Sequence, residues 1–292
     1  MTRLPGTRQR TILPPREQLA YSLTVRTSII GAAVHYSAEQ HTQLEREWKS
    51  LSEELPEAWV SLARDVPSLL TQQRAREHII YGAARRLMII TRCLKNVFRI
   101  FPIRRTQLLD DDERNDLEIN LHAFLINIHG LPDNLAWAYV LERQISINPF
   151  DVGLFQRKTK KHLPLTLREY LESISSWHQD YAKNYRDALA HRIPPYVPPA
   201  AWLPEHELEF KKLHERAEQA MRAGNVDQGL ELHEQKYQIG IIHPAFLHSF
   251  LDEKACAPML LHPQLIVDAK TILEIIGKVR PHLALPKYSQ GS

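Results

Sequence analysis

From Ser37 onward the apolar residues of this chain recur at the spacing of an α-helix, and that period limits the fold more than any other feature of the sequence. Leu44, Trp48, Leu51 and Leu55 fall three or four residues apart with charges between them, a stripe that buries one helical face and leaves the other wet. Ile79, Ile80, Ala83, Ala84, Leu87, Ile90, Leu94, Val97 and Phe98 continue the pattern and predict a long helix over 68–101, ended by Pro102. The acidic run Asp110 to Glu113 suits the positive dipole end of a next helix, through Leu117, Leu121, Phe124, Leu125 and Ile128. Gly130 and Pro132 are expected to interrupt that helix before Leu135 to Leu141 resume it. Thr166 and Glu169 have capping-box spacing ahead of a helix through Leu167, Leu171, Ile174, Trp177, Tyr181, Tyr185 and Leu189. That helix must stop near Ile193, because Pro194, Pro195, Pro198 and Pro199 remove donors and fix φ. Pro56 and Pro67 are placed at breaks or first turns. The expected fold is all-α.

Composition shifts divide the chain. Residues 1–18 mix Arg, Thr, Pro and Gly without a period and read as a tail. Residues 19–74 form an N-terminal extension whose first part, 19–36, is ambiguous. Thr24, Val25, Thr27, Ile29 and Ile30 favour a strand there, while the length suits a helix. Residues 75–197 are the expected helical core, and 198–292 a C-terminal helical region. Within the latter, Gly224 and Asn225 are the expected turn of a helical hairpin, and Leu265 to Val279 a last helix. The hairpin sequence resembles the middle of one tetratricopeptide repeat, but no second copy follows, so a two-helix appendage is the reading.

A content of 43% hydrophobic and 24% charged residues supplies a core and argues against global disorder. No apolar run approaches the roughly 18 residues of a membrane span. The N-terminus has arginines but no apolar signal region, and two cysteines, Cys93 and Cys256, are too few for a disulfide framework or a cysteine zinc site. A cytoplasmic setting with no membrane partner is therefore expected. Phosphate-cradling glycine loops, the serine elbow and HExxH are absent, and His233, His243, His248 and His262 lack metal-ligand spacing. Neither cofactor nor metal is expected.

Charge is unevenly spread. Residues 74–105 carry nine Lys or Arg and one Glu, whereas Asp110 to Glu118 hold six acids and one Arg. Arg85, Arg92 and Arg99 are spaced by seven and fall on nearly one helical face, with Lys95 beside them. Two readings follow: a solvated network in which the acids neutralise the cations, or a track for an RNA backbone.

The strongest candidate for chemistry is Tyr185-Arg186-Asp187-Ala188-Leu189-Ala190-His191-Arg192-Ile193-Pro194, an Arg-x4-His spacing at a proline-ended helix. The same spacing recurs at Arg157 to His162, in a basic stretch with Lys158, Lys160 and Lys161, but outside an apolar-periodic helix. A histidine near neutral pKa can take the proton of a 2′-hydroxyl or give one to a leaving 5′-oxygen, and a guanidinium can hold two oxygens of the phosphate as charge builds. Asp187 and His191 are four apart, so they share a face and are expected to hydrogen-bond, orienting the imidazole. Arg186 lies about 140° round the helix from His191, so one chain does not readily converge both on one phosphate.

The Arg186–His191 stretch resembles the Rx4–6H signature of the HEPN superfamily (higher eukaryotes and prokaryotes nucleotide-binding). The upstream run NLHAFLINIHGLPDNLAWAYV is similar to the earlier helices of its bundles. The resemblance covers 75–197. It implies a HEPN-like bundle, metal-independent RNA cleavage in a toxin, defence or RNA-processing role, and a homodimer whose two motifs face one cleft. On that reading Arg186, Asp187 and His191 carry catalysis, and Arg85, Arg92, Lys95, Arg99 and Arg192 bind RNA. The alternative is a non-catalytic helical protein that binds RNA, a nucleotide or a protein partner such as an antitoxin.

Overall fold

The computed structural model describes residues 36–200, 204–247 and 259–284, and within them the fold is all-α apart from a two-stranded ribbon. The tail and the ambiguous segment 19–36 fall outside the described residues except for Tyr36. Helix α1 (Ala38–Val60) starts at a capping box: Ser37 Oγ accepts from Gln40 N, and Gln40 Oε1 accepts from Ser37 N. Pro56 does not break α1. It lies on the exposed face, where water can satisfy the carbonyl it frees. A π-helical turn (Ser61–Asp65) leads into α2 (Val66–Leu69), with Pro67 in its first turn as expected.

The long helix predicted over 68–101 is divided. Leu70 turns extended, and the buried Glu142 carboxylate accepts from Thr71 N at 2.8 Å, Thr71 Oγ1 at 2.8 Å and Gln72 N at 3.0 Å. Two of those donors are backbone amides at the start of α3 (Gln73–Glu77), so Glu142 caps it from a distant element. A π-helical stretch (His78–Ala84) then joins α4 (Arg85–Ile100).

Helix α5 (Asp111–Glu142) runs unbroken through Gly130 and Pro132, contrary to the expected interruption. Arg86 straps that stretch: its Nη1 donates to Asn127 Oδ1 at 3.1 Å and its Nε to Asn134 Oδ1 at 2.9 Å, one contact on either side of the glycine and the proline. The guanidinium fits only because residue 130 is glycine; a Cβ there would stand 2.6 Å from Arg86 Cζ.

Beyond a short 3₁₀ turn (Pro149–Asp151) and α6 (Arg157–Lys160), α7 (Leu165–Ser173) starts at Pro164, not at Thr166, and the expected capping box does not form. The chain breaks at Ile174, re-forms as a π-helical stretch (Trp177–Ala182) and passes into α8 (Lys183–His191). Helices α9 (Pro204–Arg222) and α10 (Val226–Tyr237) make the expected hairpin, turning at Gly224 with φ +80°. Its small core of Leu213, Ala217, Ala220 and Leu232 is separate from the main one. Strands β1 (Ala245–Phe246) and β2 (Met259–Leu260) pair antiparallel and deliver α11 (Leu261–Val279).

The core crosses the boundary drawn at 198: α11 is buried on nearly every side and shares one cluster with α1, α4, α5 and α8. Two of the polar side chains buried on α11 tie it to other elements of the core. Asp268 accepts from Trp177 Nε1 at 2.8 Å, Tyr181 OH at 2.7 Å and Gln264 Nε2 at 2.9 Å; burial pushes its carboxyl up to about 7 despite these donors. His262 faces the Phe101 carbonyl through Nε2 at 2.6 Å, so that nitrogen carries the proton and Nδ1 accepts from Tyr36 OH at 3.1 Å. Among the described residues no helix is long and apolar enough to cross a membrane.

Candidate functional site

The Arg-x4-His segment forms α8 because Tyr185 and Ala188 bury one face of it while Lys183, Arg186, Asp187 and His191 are carried on the other sides. Tyr185 packs against Tyr181 and Phe246. The proline exit is tied down: His122 Nε2 meets Pro195 O at 2.5 Å, and Val197 N donates to Glu118 Oε1 at 2.8 Å. The segment after α8 therefore lies along α5.

Asp187 does not orient His191. Its carboxylate pairs with Lys183 Nζ at 2.6 Å and Arg186 Nη1 at 2.9 Å. Burial alone would raise this carboxyl, but the Lys183 bond and the Arg186 charge hold it below the usual carboxylate range. His191 is exposed in the last turn and bonds to no described residue. Arg192 is not free, for its Nη2 donates to Asn184 O at 2.9 Å and Asn184 Oδ1 at 2.6 Å.

What gathers round Arg186 is a different set of side chains. His129 and Asp133, four residues apart on α5, share its face. The His129 ring stacks on His178 at 5.3 Å, and Phe155 stacks on His178 at 3.9 Å. Burial, then the charge of Arg186, drives His129 down to about 4. Burial, then His129, Lys183, Arg186 and Lys160, drives His178 down to about 3, and its Nδ1 is buried without a partner among the described residues. Burial raises Asp133 to about 6, opposed by the Leu154 backbone, Arg186 and Arg86. The cluster thus holds two neutral imidazoles under four cations, Arg86, Lys160, Lys183 and Arg186. Both π-helical stretches nearest the site contribute to it, His78–Ala84 through Gly82 against Asn134 and Trp177–Ala182 through His178. Such local widening of a helix is often found where side chains must be re-aimed for function.

The sequence nominated Arg186 and Asp187, which the structure brings to this cluster, and His191, which stands apart at the helix end. It missed His129, Asp133, His178 and Arg86. The four-residue spacing of His129 and Asp133 was a usable signal. The approach of His178 and Arg86 was not, because both come from other elements.

The basic stripe is laid bare. Arg85, Arg92, Lys95 and Arg99 are exposed along α4, and none forms an ion pair among the described residues; Arg85 lies over the Tyr81 ring at 5.0 Å. Four of the six acids that could have neutralised them are used elsewhere. Asp110 and Glu113 cap α5, Glu113 also binds Arg105 at 2.5 Å, Asp111 holds Arg114 at 2.7 Å, and Glu118 holds Val197. Among the described residues no three His, Cys, Asp or Glu side chains converge as metal ligands. No family model, no curated protein and no solved structure matches this chain.

Proposed function

We propose that this chain is a cytoplasmic, HEPN-type, metal-independent endoribonuclease that acts as a homodimer. The observation that carries the reading is a part-exposed Arg186, braced by Asp187, on the same helix as an exposed His191 that bonds to no described residue, so that two copies of the motif facing each other would supply the convergence one helix does not. Arg186 holds the scissile phosphate. His191 of one copy removes the 2′-hydroxyl proton, the 2′-oxygen attacks phosphorus, the P–O5′ bond breaks and the 5′-oxygen leaves with a proton given by the protonated His191 of the second copy. The stripe tracks the backbone.

The dimer is supported by apolar residues beside the motif. Ile119 is 64% and Ile193 51% exposed, and Ile126 is exposed with them. His122 lies between Ile119 and Ile126 on α5, and its bond to Pro195 brings Ile193 to the same surface. A second copy over these residues would bring two motifs together. Cleavage that survives EDTA and disappears in His191→Ala tests the proposal.

One observation favours the second reading, a non-catalytic binder of RNA, nucleotide or protein. The Asp187 carboxylate is engaged by Lys183 and Arg186, so nothing described fixes the His191 ring. Salt-dependent RNA binding without product would decide for it.

A further inference from the structure

We infer that the loop over 148–162 is a clamp for single-stranded RNA, with Phe150 as the platform for one unpaired base and Arg157 and Lys161 as its phosphate contacts. The inference rests on the RNA reading above and assigns that site its substrate class.

Phe150 is 94% exposed, more than any other large apolar side chain described. It is presented on a rigid turn. Asn148 Oδ1 accepts from Phe150 N at 2.9 Å, and Asp151 N donates to Asn148 O at 2.9 Å. Lys158 Nζ binds Asp151 Oδ2 at 2.6 Å. The buried Thr159 hydroxyl donates to Asp151 O at 2.9 Å and accepts from Gly153 N at 3.1 Å. These bonds hold the backbone that carries the ring, so stacking on it orders two side-chain torsions and little of the chain.

The cations are sorted by partner. Lys158 pairs with Asp151 and Lys160 with Glu172, whereas Arg157 and Lys161 are exposed with no ion pair among the described residues. The basic cluster read from the sequence is thus half structural and half free. The inner side of the same loop closes on the candidate site. Phe155 stacks on His178, Lys160 acts on that ring, and a Cβ at Gly153 would stand 3.0 Å from Asp133 Oδ1. A strand whose phosphate sits at Arg186 therefore has Phe150 and two free cations on the adjoining loop.

Base–aromatic stacking combined with a cationic path is how proteins hold single strands without reading sequence, and a duplex keeps its bases out of reach of such a ring. An anionic membrane would also attract the cations, but one ring on a stiff turn inserts little apolar surface, whereas one ring suffices for one base.

The test is fluorescence anisotropy with labelled oligouridine and with a duplex of equal length, over a salt series, using the full chain. Phe150→Ala should weaken oligouridine binding about tenfold with an unchanged salt slope, and Phe150→Trp should restore it. Arg157→Ala with Lys161→Ala should instead flatten the slope by about 1.4. Oligouridine binding that is the same in Phe150→Ala and the native chain overturns the clamp and leaves the RNA reading standing. Equal or tighter binding of the duplex by the native chain overturns it too. Sedimentation with phosphatidylserine vesicles that is lost in Phe150→Ala, without an effect on oligouridine, reassigns the loop to a membrane surface. No RNA binding by the native chain removes both this inference and the proposed function.

Discussion

The guanidinium of Arg86 donates to Asn134 at 2.9 Å across the α4–α5 crossing, over a glycine that leaves room for it at position 130. This contact sets the sign of a substitution. In a helix interior Gly→Ala ordinarily stabilises by about 1 kcal/mol. Here the new methyl would displace the guanidinium from Asn127 and Asn134, so Gly130→Ala should destabilise by about 1–2 kcal/mol. In an Arg86→Ala background the same change should become neutral or stabilising. A double-mutant cycle in urea measures it, and additive single effects would show that the strap is not what the glycine serves.

That strap also marks what the sequence could and could not convey. The helical period placed α1, α4 and α5 because their buried stripes are local patterns, and the hairpin turn at Gly224 was legible because glycine permits a positive φ. The continuity of α5 through Pro132 was not legible, since it depends on Arg86, nearly fifty residues away. Nor was the break before α3, which depends on Glu142, or the burial of Asp268, which depends on Trp177 and Tyr181. In the site, Arg186 and Asp187 were read from one motif; its neighbours His129 and His178 come from two further elements that only the fold brings together.

Asp268 holds α11 against the π-helical stretch before α8. Asp268→Ala leaves the Trp177 N–H and the Tyr181 hydroxyl buried without an acceptor, at a cost of about 2–5 kcal/mol. Equilibrium denaturation should show it, with the near-ultraviolet signal of Trp177 altered. A loss below 1 kcal/mol would mean that these donors find other partners.

His178 stays neutral in the fold down to about 3, against its ordinary 6.5. Below 6.5 the unfolded chain therefore binds a proton that the folded chain refuses. The stability this gives is whole above 6.5 and drains as pH falls toward 3. His178→Phe, which keeps the stack on Phe155, should flatten the fall in stability between pH 6 and pH 4 by about 1.4 kcal/mol per pH unit. Asp133 and Asp268, both raised, slope the other way over the same range, so the difference between variant and native chain is the quantity to measure. Parallel curves would place the His178 ring in water.

The unpaired stripe on α4 gives a prediction about salt. Replacing Arg85, Arg92 and Arg99 together should reduce the slope of log affinity against log salt for single-stranded RNA by about two units. Stability should change little, because none of the three holds an ion pair among the described residues. An unchanged slope would assign the stripe to bare solvation.

The central claim is tested most directly by the ends of the RNA that the purified chain produces in EDTA. In-line attack by a 2′-hydroxyl leaves a 2′,3′-cyclic phosphate and a 5′-hydroxyl. The account predicts those ends from the native protein, and their loss in Arg186→Ala and in His191→Ala with helicity unchanged. Absence of any product, dependence on added divalent metal, or 5′-phosphate ends would contradict it.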